Sequence, residues 1–275
     1  MKSEIYYFSG TGNSLYIAGE LAKRLDGRLV PIAKLPEGEP VRPEADMVGI
    51  VFPVYFAEAP VIVKRFARRL EGIAGKYAFA VCNFGGAAAQ SLNVLRGILR
   101  ERGGDLSASF GVHMPQNAFR KPWEKKEKIY AACGKRLDFI AGEVTERKRG
   151  TFLPNVPVEL IFGLMYKIMK PAFKEGIRKH SGASADLTAD ELIALTDAHY
   201  RAGDMCTGCG ICAQVCPVGN IRMTAGKPEW LHRCEACLAC YDWCPNGAIE
   251  GGVAERGHYY RHPGAKLSDM TRAVK

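Results

Sequence analysis

Residues 4–25 read EIYYFSGTGNSLYIAGELAKRL. The first five are a short apolar and aromatic run of the kind that fills a buried strand. Six small or polar residues follow, Ser9-Gly10-Thr11-Gly12-Asn13-Ser14, and apolar residues then return at helical spacing over 13–25. Strand, small-residue turn and helix in that order open an α/β domain. The pattern repeats outward from this stretch. Further strands are expected at 28–32, 47–52 (MVGIVF), 76–82 (KYAFAVC) and 106–112, with helices at 58–70, 88–101 and 122–147. Five strands alternating with helices predict a doubly wound, five-stranded parallel sheet over residues 1–150.

The remainder reads differently. Pro154 and Pro157 break the chain, and 157–180 then shows apolar residues at helical spacing beside Lys167, Lys170, Lys174, Arg178 and Lys179, with a kink expected at Pro171. Such a stripe reads first as a face buried against its own domain. Contact with a membrane surface through 157–180 is the second, less favoured reading. A short helix over 187–198 completes a connector spanning 151–200; a cysteine-rich module follows at 201–255 and a patternless tail at 256–275. No stretch has the length and apolarity of a membrane span, and no leader pattern opens the chain, so a cytoplasmic location is expected.

Eight of the ten cysteines lie between Cys206 and Cys244, which speaks for metal binding rather than disulfides. The first block is Cys206, Cys209, Cys212 and Cys216, followed by Pro217. The second is Cys234, Cys237, Cys240 and Cys244, followed by Pro245, each position 28 residues after its counterpart. This is an internal duplication. Zinc sites favour two separated pairs over a triplet plus one; three closely spaced thiolates plus a distant fourth suit a 4Fe–4S cubane. Residues 201–255 resemble a two-cluster bacterial ferredoxin, a small α+β domain. The resemblance implies two 4Fe–4S clusters with crossed ligation: Cys206, Cys209, Cys212 and Cys244 on one, and Cys234, Cys237, Cys240 and Cys216 on the other.

The turn Ser9–Ser14 has the small residues, hydroxyls and following helix N-terminus that suit a phosphate. It lacks the third glycine of a dinucleotide loop, since Leu15 stands there, and the Gly-Lys pair of a P-loop. It resembles the flavodoxin signature (Ser/Thr)-x-Thr-Gly-Asn-(Ser/Thr). That family binds FMN at the carboxyl ends of its central strands. The resemblance points to two further loops. Pro53, Val54, Tyr55, Phe56 and Ala57 follow the third strand, with Tyr55 or Phe56 as the stacking aromatic. Asn83, Phe84, Gly85 and Gly86 follow the fourth, with backbone toward the ring's polar edge. The fourth-strand loop departs from the family in lacking an acidic residue and a second aromatic, which would make a bound flavin easier to reduce. Cys82 and Cys133 read as buried, inert thiols.

Together the two resemblances are to the flavodoxin–ferredoxin fusion proteins of anaerobic microbes. They imply an electron-transfer protein relaying electrons between two 4Fe–4S clusters and FMN, with soluble redox partners. Basic groups at Lys64, Arg65, Arg68 and Arg69, and at Lys125, Lys126 and Lys128, would suit acidic partners. The formal charge of +9 falls to about +3 once each cluster counts about −2 and a flavin phosphate about −2, so nucleic-acid binding does not follow from it. Two alternatives stand beside the relay: a ferredoxin-fed flavin reductase acting on a small molecule or quinone, and a ferredoxin whose α/β domain docks partners without a flavin. No acid–base constellation marks catalytic residues, so the sequence leaves open whether the chain is an enzyme.

Overall fold

The structure is a computed structural model describing residues 2–121, 124–183 and 187–271. By internal contacts the chain divides into two compact units. The first holds the chain up to Tyr166, apart from Gly10–Gly12 and a stretch that starts at Gln116. Those segments and everything from Lys167 onward form the second.

The first unit is built on strands β1 (Ser3–Tyr7), β2 (Gly27–Pro31), β3 (Met47–Pro53), β4 (Tyr77–Phe84), β5 (Leu106–His113) and β6 (Gly150–Phe152). All pair in parallel, in the order β2-β1-β3-β4-β5-β6. The first five strands follow the 2-1-3-4-5 order of the flavodoxin-like doubly wound fold. The sheet has six strands where five were expected. β6 is only three residues long, too short to show a pattern, and Phe152 holds it by stacking on Phe110 of β5 at 5.1 Å. β3 and β4 read as continuous apolar runs because helices cover both sheet faces, and their residues are buried almost throughout.

Helices α1 (Asn13–Arg24), α2 (Val61–Arg68), α3 (Ser91–Glu101) and α4 (Lys126–Thr145) fall where the periodicity placed them, to within a few residues. The expected start of the last, at 122–123, lies outside the described residues. α2 begins at Val61 rather than residue 58 because Tyr55–Glu58 closes a tight turn, with N–H···O bonds of 3.1 and 2.9 Å in both directions, and Pro60 then starts the helix. Lys64, expected on a docking face, is instead buried and paired with Glu58 at 3.3 Å. Cys82 and Cys133 are buried, and burial pushes both thiols up to about 12, so they stay protonated and unreactive.

Helix α5 (Val156–Ser181) follows as one helix with Pro171 inside it. The second unit continues with α6 (Ala189–Ala194), β7 (Arg201–Ala202), α7 (Ile211–Val215), β8 (Ile221–Thr224), β9 (Lys227–Trp230), α8 (Ala239–Asp242), β10 (Ile249–Glu250) and α9 (Leu267–Met270). Two antiparallel ribbons, β8–β9 and β7–β10, frame the cysteines, the first closing over Ala225 and Gly226. The last four tail residues, 272–275, lie outside the described residues.

Candidate cofactor sites

The duplication seen in the cysteines is also written in the backbone. Gly208, Gly210 and Gly219 have φ of 71°, 73° and 58°, and the residues 28 positions on, Ala236, Leu238 and Gly247, have φ of 50°, 61° and 57°. Two non-glycine residues thus hold a left-handed conformation that L side chains resist. The second block keeps the curl of the first although Ala236 and Leu238 replace two of its glycines. At Gly208 glycine is required sterically as well, since a Cβ there would lie 2.7 Å from the carbonyl oxygen of Gly226.

Cys206, Cys209, Cys212 and Cys244 line one cavity, walled by Ile211, Met223, Pro245 and Ile249. This cavity brings the first three cysteines of one block together with the last of the other. Cys216 instead neighbours Cys234, Cys237 and Cys240: each of those three thiols feels its charge. Burial raises these thiols, Cys212 to about 11 and Cys234 to about 12, with Cys237 and Cys240 pushed well up. Four buried or half-buried thiols with raised pKa values ionise only when a cation compensates them, so this donor chemistry fits iron.

Backbone donors are aimed at the sulfurs with the same duplication. Asn220 N–H lies 3.1 Å from Cys216 Sγ, and Ala248 N–H lies 3.3 Å from Cys244 Sγ, each four residues beyond its cysteine. Ala236 N–H reaches Cys234 Sγ at 3.2 Å. Such donors stabilise thiolate charge and tune a cluster's potential. The Trp230 indole N–H is buried without an oxygen or nitrogen acceptor and stands beside Cys240. A donor stranded in that position fits an anionic sulfur site. Tyr200 stacks on Trp230 at 5.5 Å and closes this wall.

Sequence reading missed the polar frame beneath the second quartet. Asp197, fully buried, accepts from Asn220 Nδ2 at 2.7 Å and from His232 N–H at 3.1 Å, and its other oxygen lies 2.7 Å from His232 Nδ1. Asn220 Oδ1 in turn accepts from the N–H groups of Leu231 and Arg233 at 3.2 and 2.6 Å. The Asp-Asn-His constellation spreads over 35 residues and has no local signature.

In the first unit, Ser9 follows β1 and is half-buried, while Asn13 and Ser14 form the first turn of α1 and are buried. Asn13 Nδ2 donates to Pro115 O at 2.9 Å. Ser14 Oγ accepts from Asn83 Nδ2 at 2.6 Å, and Asn83 also donates to Phe52 O at 3.1 Å. Asn83 is therefore a side chain that orients Ser14. Its own carbonyl accepts from Val54 N–H, and that of Phe84 from Met114 N–H, both at 2.9 Å. Phe84 is buried within β4, and Gly85 and Gly86 begin the loop beyond it. Pro53 ends β3, and Val54, Tyr55 and Phe56 are half-buried. Phe56 and Ala57, at the turn's centre, have φ of 48° and 62°, and Tyr55 packs edge-on against Phe8 at 6.2 Å. Left-handed backbone at two adjacent non-glycine residues is costly, and such strain gathers at ligand clamps. A half-buried aromatic turn beside an oriented hydroxyl has the chemistry to receive a phosphorylated planar ring.

Gly10–Gly12 make their contacts in the second unit. Gly10 O accepts from Trp243 Nε1 at 3.1 Å and Thr11 O from His262 N–H at 2.8 Å. Gly12 has φ of 105°, and a Cβ there would meet Ala265 Cβ at 2.6 Å.

Residues 205–249 match the family model described as "4Fe-4S dicluster domain". No curated protein sequence matches the chain. Among solved structures, a flavodoxin from the domain Archaea is similar at 16% identity, covering 53% of this chain and 99% of that one with a TM-score of 0.36. A Megasphaera elsdenii flavodoxin, solved in its two-electron reduced form, is similar at 17% identity, covering 48% and 98% with a TM-score of 0.32. The fold of the first unit rests on its strand order rather than on these likenesses. The chain joins a flavodoxin-like α/β unit to a ferredoxin-type unit with a 4Fe–4S domain.

Proposed function

We propose that this chain is an electron-transfer protein that holds two 4Fe–4S clusters and one FMN. The observation that carries the reading is the sorting of eight cysteines into two quartets, each taking three cysteines from one block and one from the other. Cys206, Cys209, Cys212 and Cys244 would hold one cluster, and Cys234, Cys237, Cys240 and Cys216 the other. Ser9–Ser14 would hold the phosphate, with Asn83 keeping the Ser14 hydroxyl in place. Tyr55 and Phe56 would stack on the ring, and the backbone after Phe84 would meet its polar edge. FMN takes up two electrons and can release them singly, while 4Fe–4S clusters pass one at a time. The protein's own part is to shield the thiolates, present N–H groups to them and exclude water. Soluble redox proteins are the partners that suit it.

The test is composition of protein purified without oxygen: iron, acid-labile sulfide and acid-released flavin. About eight irons and one FMN per chain is the expected result. About eight irons and no flavin, even after incubation with FMN, would leave a ferredoxin whose α/β unit serves another purpose.

A further inference from the structure

We propose that α5 is a membrane-surface helix that docks this protein on anionic lipid. Most surface helices turn their apolar side inward; α5 buries Ile177 but leaves a run of apolar side chains exposed along its first half. Two polar side chains anchor its first half: the buried Glu159 carboxylate accepts N–H groups of Ala88 and Ala89, and the Tyr166 hydroxyl donates to Glu58 Oε1 at 3.1 Å. Ile161, Leu164, Met165 and Ile168 stand at i, i+3, i+4 and i+7, flanked by Phe162 and Met169, and all six are exposed. Leu164 is 63% and Ile168 72% accessible. Of eleven exposed large hydrophobic side chains among the described residues, seven lie on this one helix. A contiguous apolar stripe of this kind marks a surface meant to be covered.

Charge selects what covers it. Lys170, Lys174 and Arg178 run at i, i+4 and i+8 along one edge of the stripe, and Lys179 follows. Against them stand Glu175, paired with Arg178 at 2.7 Å, and Glu191 of α6, whose carboxylate feels the charge of Lys174, so cations outnumber anions along this edge. A second copy packed in parallel would bring the same cations toward themselves, and an uncharged apolar groove would offer them no counter-charge. An anionic bilayer takes the stripe into its acyl boundary and the cations among its headgroups. Among the described residues no helix is long and apolar enough to cross a membrane, so α5 would lie in the surface plane.

The experiment is flotation of the full-length, cofactor-loaded protein with extruded vesicles of phosphatidylcholine, with or without about one-third phosphatidylglycerol. Co-flotation with the anionic vesicles is expected, at least about tenfold weaker with the neutral ones and weakened by high salt. The double variant Leu164→Glu/Ile168→Glu should lose flotation while keeping its iron content and melting temperature. Lys170→Glu/Lys174→Glu should lose the preference for anionic lipid. The proposal is overturned if neither vesicle floats the protein or if both float it equally. It also falls if the wild type is a stable dimer in solution that Leu164→Glu/Ile168→Glu converts to monomer, because a second copy then covers the face.

Discussion

Glu159 accepts the backbone N–H of Ala88 on both carboxylate oxygens, at 3.0 and 2.9 Å, across 71 residues of chain. Ala89 N–H adds a second donor at 3.3 Å. A buried carboxylate with two backbone donors ties the start of α5 to the segment between β4 and α3. Removing it strands those N–H groups away from water, so Glu159→Ala should cost about 2 kcal/mol. Glu159→Gln keeps an acceptor oxygen and should cost less. Chemical denaturation followed by circular dichroism checks the order of the two variants; equal loss in both would mean that packing, rather than hydrogen bonding, holds the helix.

Much of this architecture was legible in the residues, for identifiable reasons. β3 and β4 are buried on both faces, so their apolar runs stand out. The cysteine spacing suits the ligands of a 4Fe–4S cluster, in keeping with the 4Fe–4S domain matched at 205–249, and is repeated 28 residues on. Features defined by distant partners were not legible. Lys64 reads as a solvated cation on a basic helix, yet Glu58, held by the Tyr55–Glu58 turn, draws it inside. The apolar stripe of α5 reads as a buried face because periodicity reports that a face exists and not which way it points; the polar anchors Glu159 and Tyr166 decide that. Asp197 and Asn220 look like loop residues until Arg233 and His232 fold back on them.

Asn83 Nδ2 holds the Ser14 hydroxyl at 2.6 Å, and this is the clearest case of one side chain setting another in the candidate phosphate turn. Asn83→Ala leaves that hydroxyl free to rotate and leaves Phe52 O without its side-chain donor. FMN affinity should fall about tenfold, the equivalent of one modest hydrogen bond. Fluorescence titration of flavin-depleted protein measures this directly. Unchanged affinity together with an unchanged melting temperature would remove Asn83 from the site.

His262 supplies the pH dependence. Burial holds its imidazole down, from an ordinary value of 6.5 to about 4, and Nδ1 accepts the N–H of Gly264 at 3.0 Å. The unfolded tail therefore takes up a proton as pH falls below 6.5, while the docked tail resists until about 4. Docking is insensitive to this group above pH 6.5 and weakens progressively between 6.5 and 4. Amide exchange at Gly264 should accelerate between pH 7.5 and 5 beyond the intrinsic pH trend. His262→Gln should remove that extra acceleration; if the variant keeps it, another group governs the tail.

The quartets predict which thiols a ligand loss exposes. Cys244 lies in the second block but shares its cavity with Cys206, Cys209 and Cys212. Cys244→Ser should therefore destabilise the cluster of the first block: Cys206, Cys209 and Cys212 should become open to alkylation first, while Cys234, Cys237 and Cys240 stay protected. Cys216→Ser should give the mirror result, since Cys216 neighbours the second triplet. Mass spectrometry after a short anaerobic iodoacetamide pulse assigns each site. Cys82 and Cys133 serve as internal controls: buried and held protonated, they should label only after full unfolding. If Cys244→Ser instead exposes the second triplet, each block holds its own cluster and the crossed arrangement is wrong. If either variant exposes both triplets together, the two quartets do not act independently and the selective prediction fails.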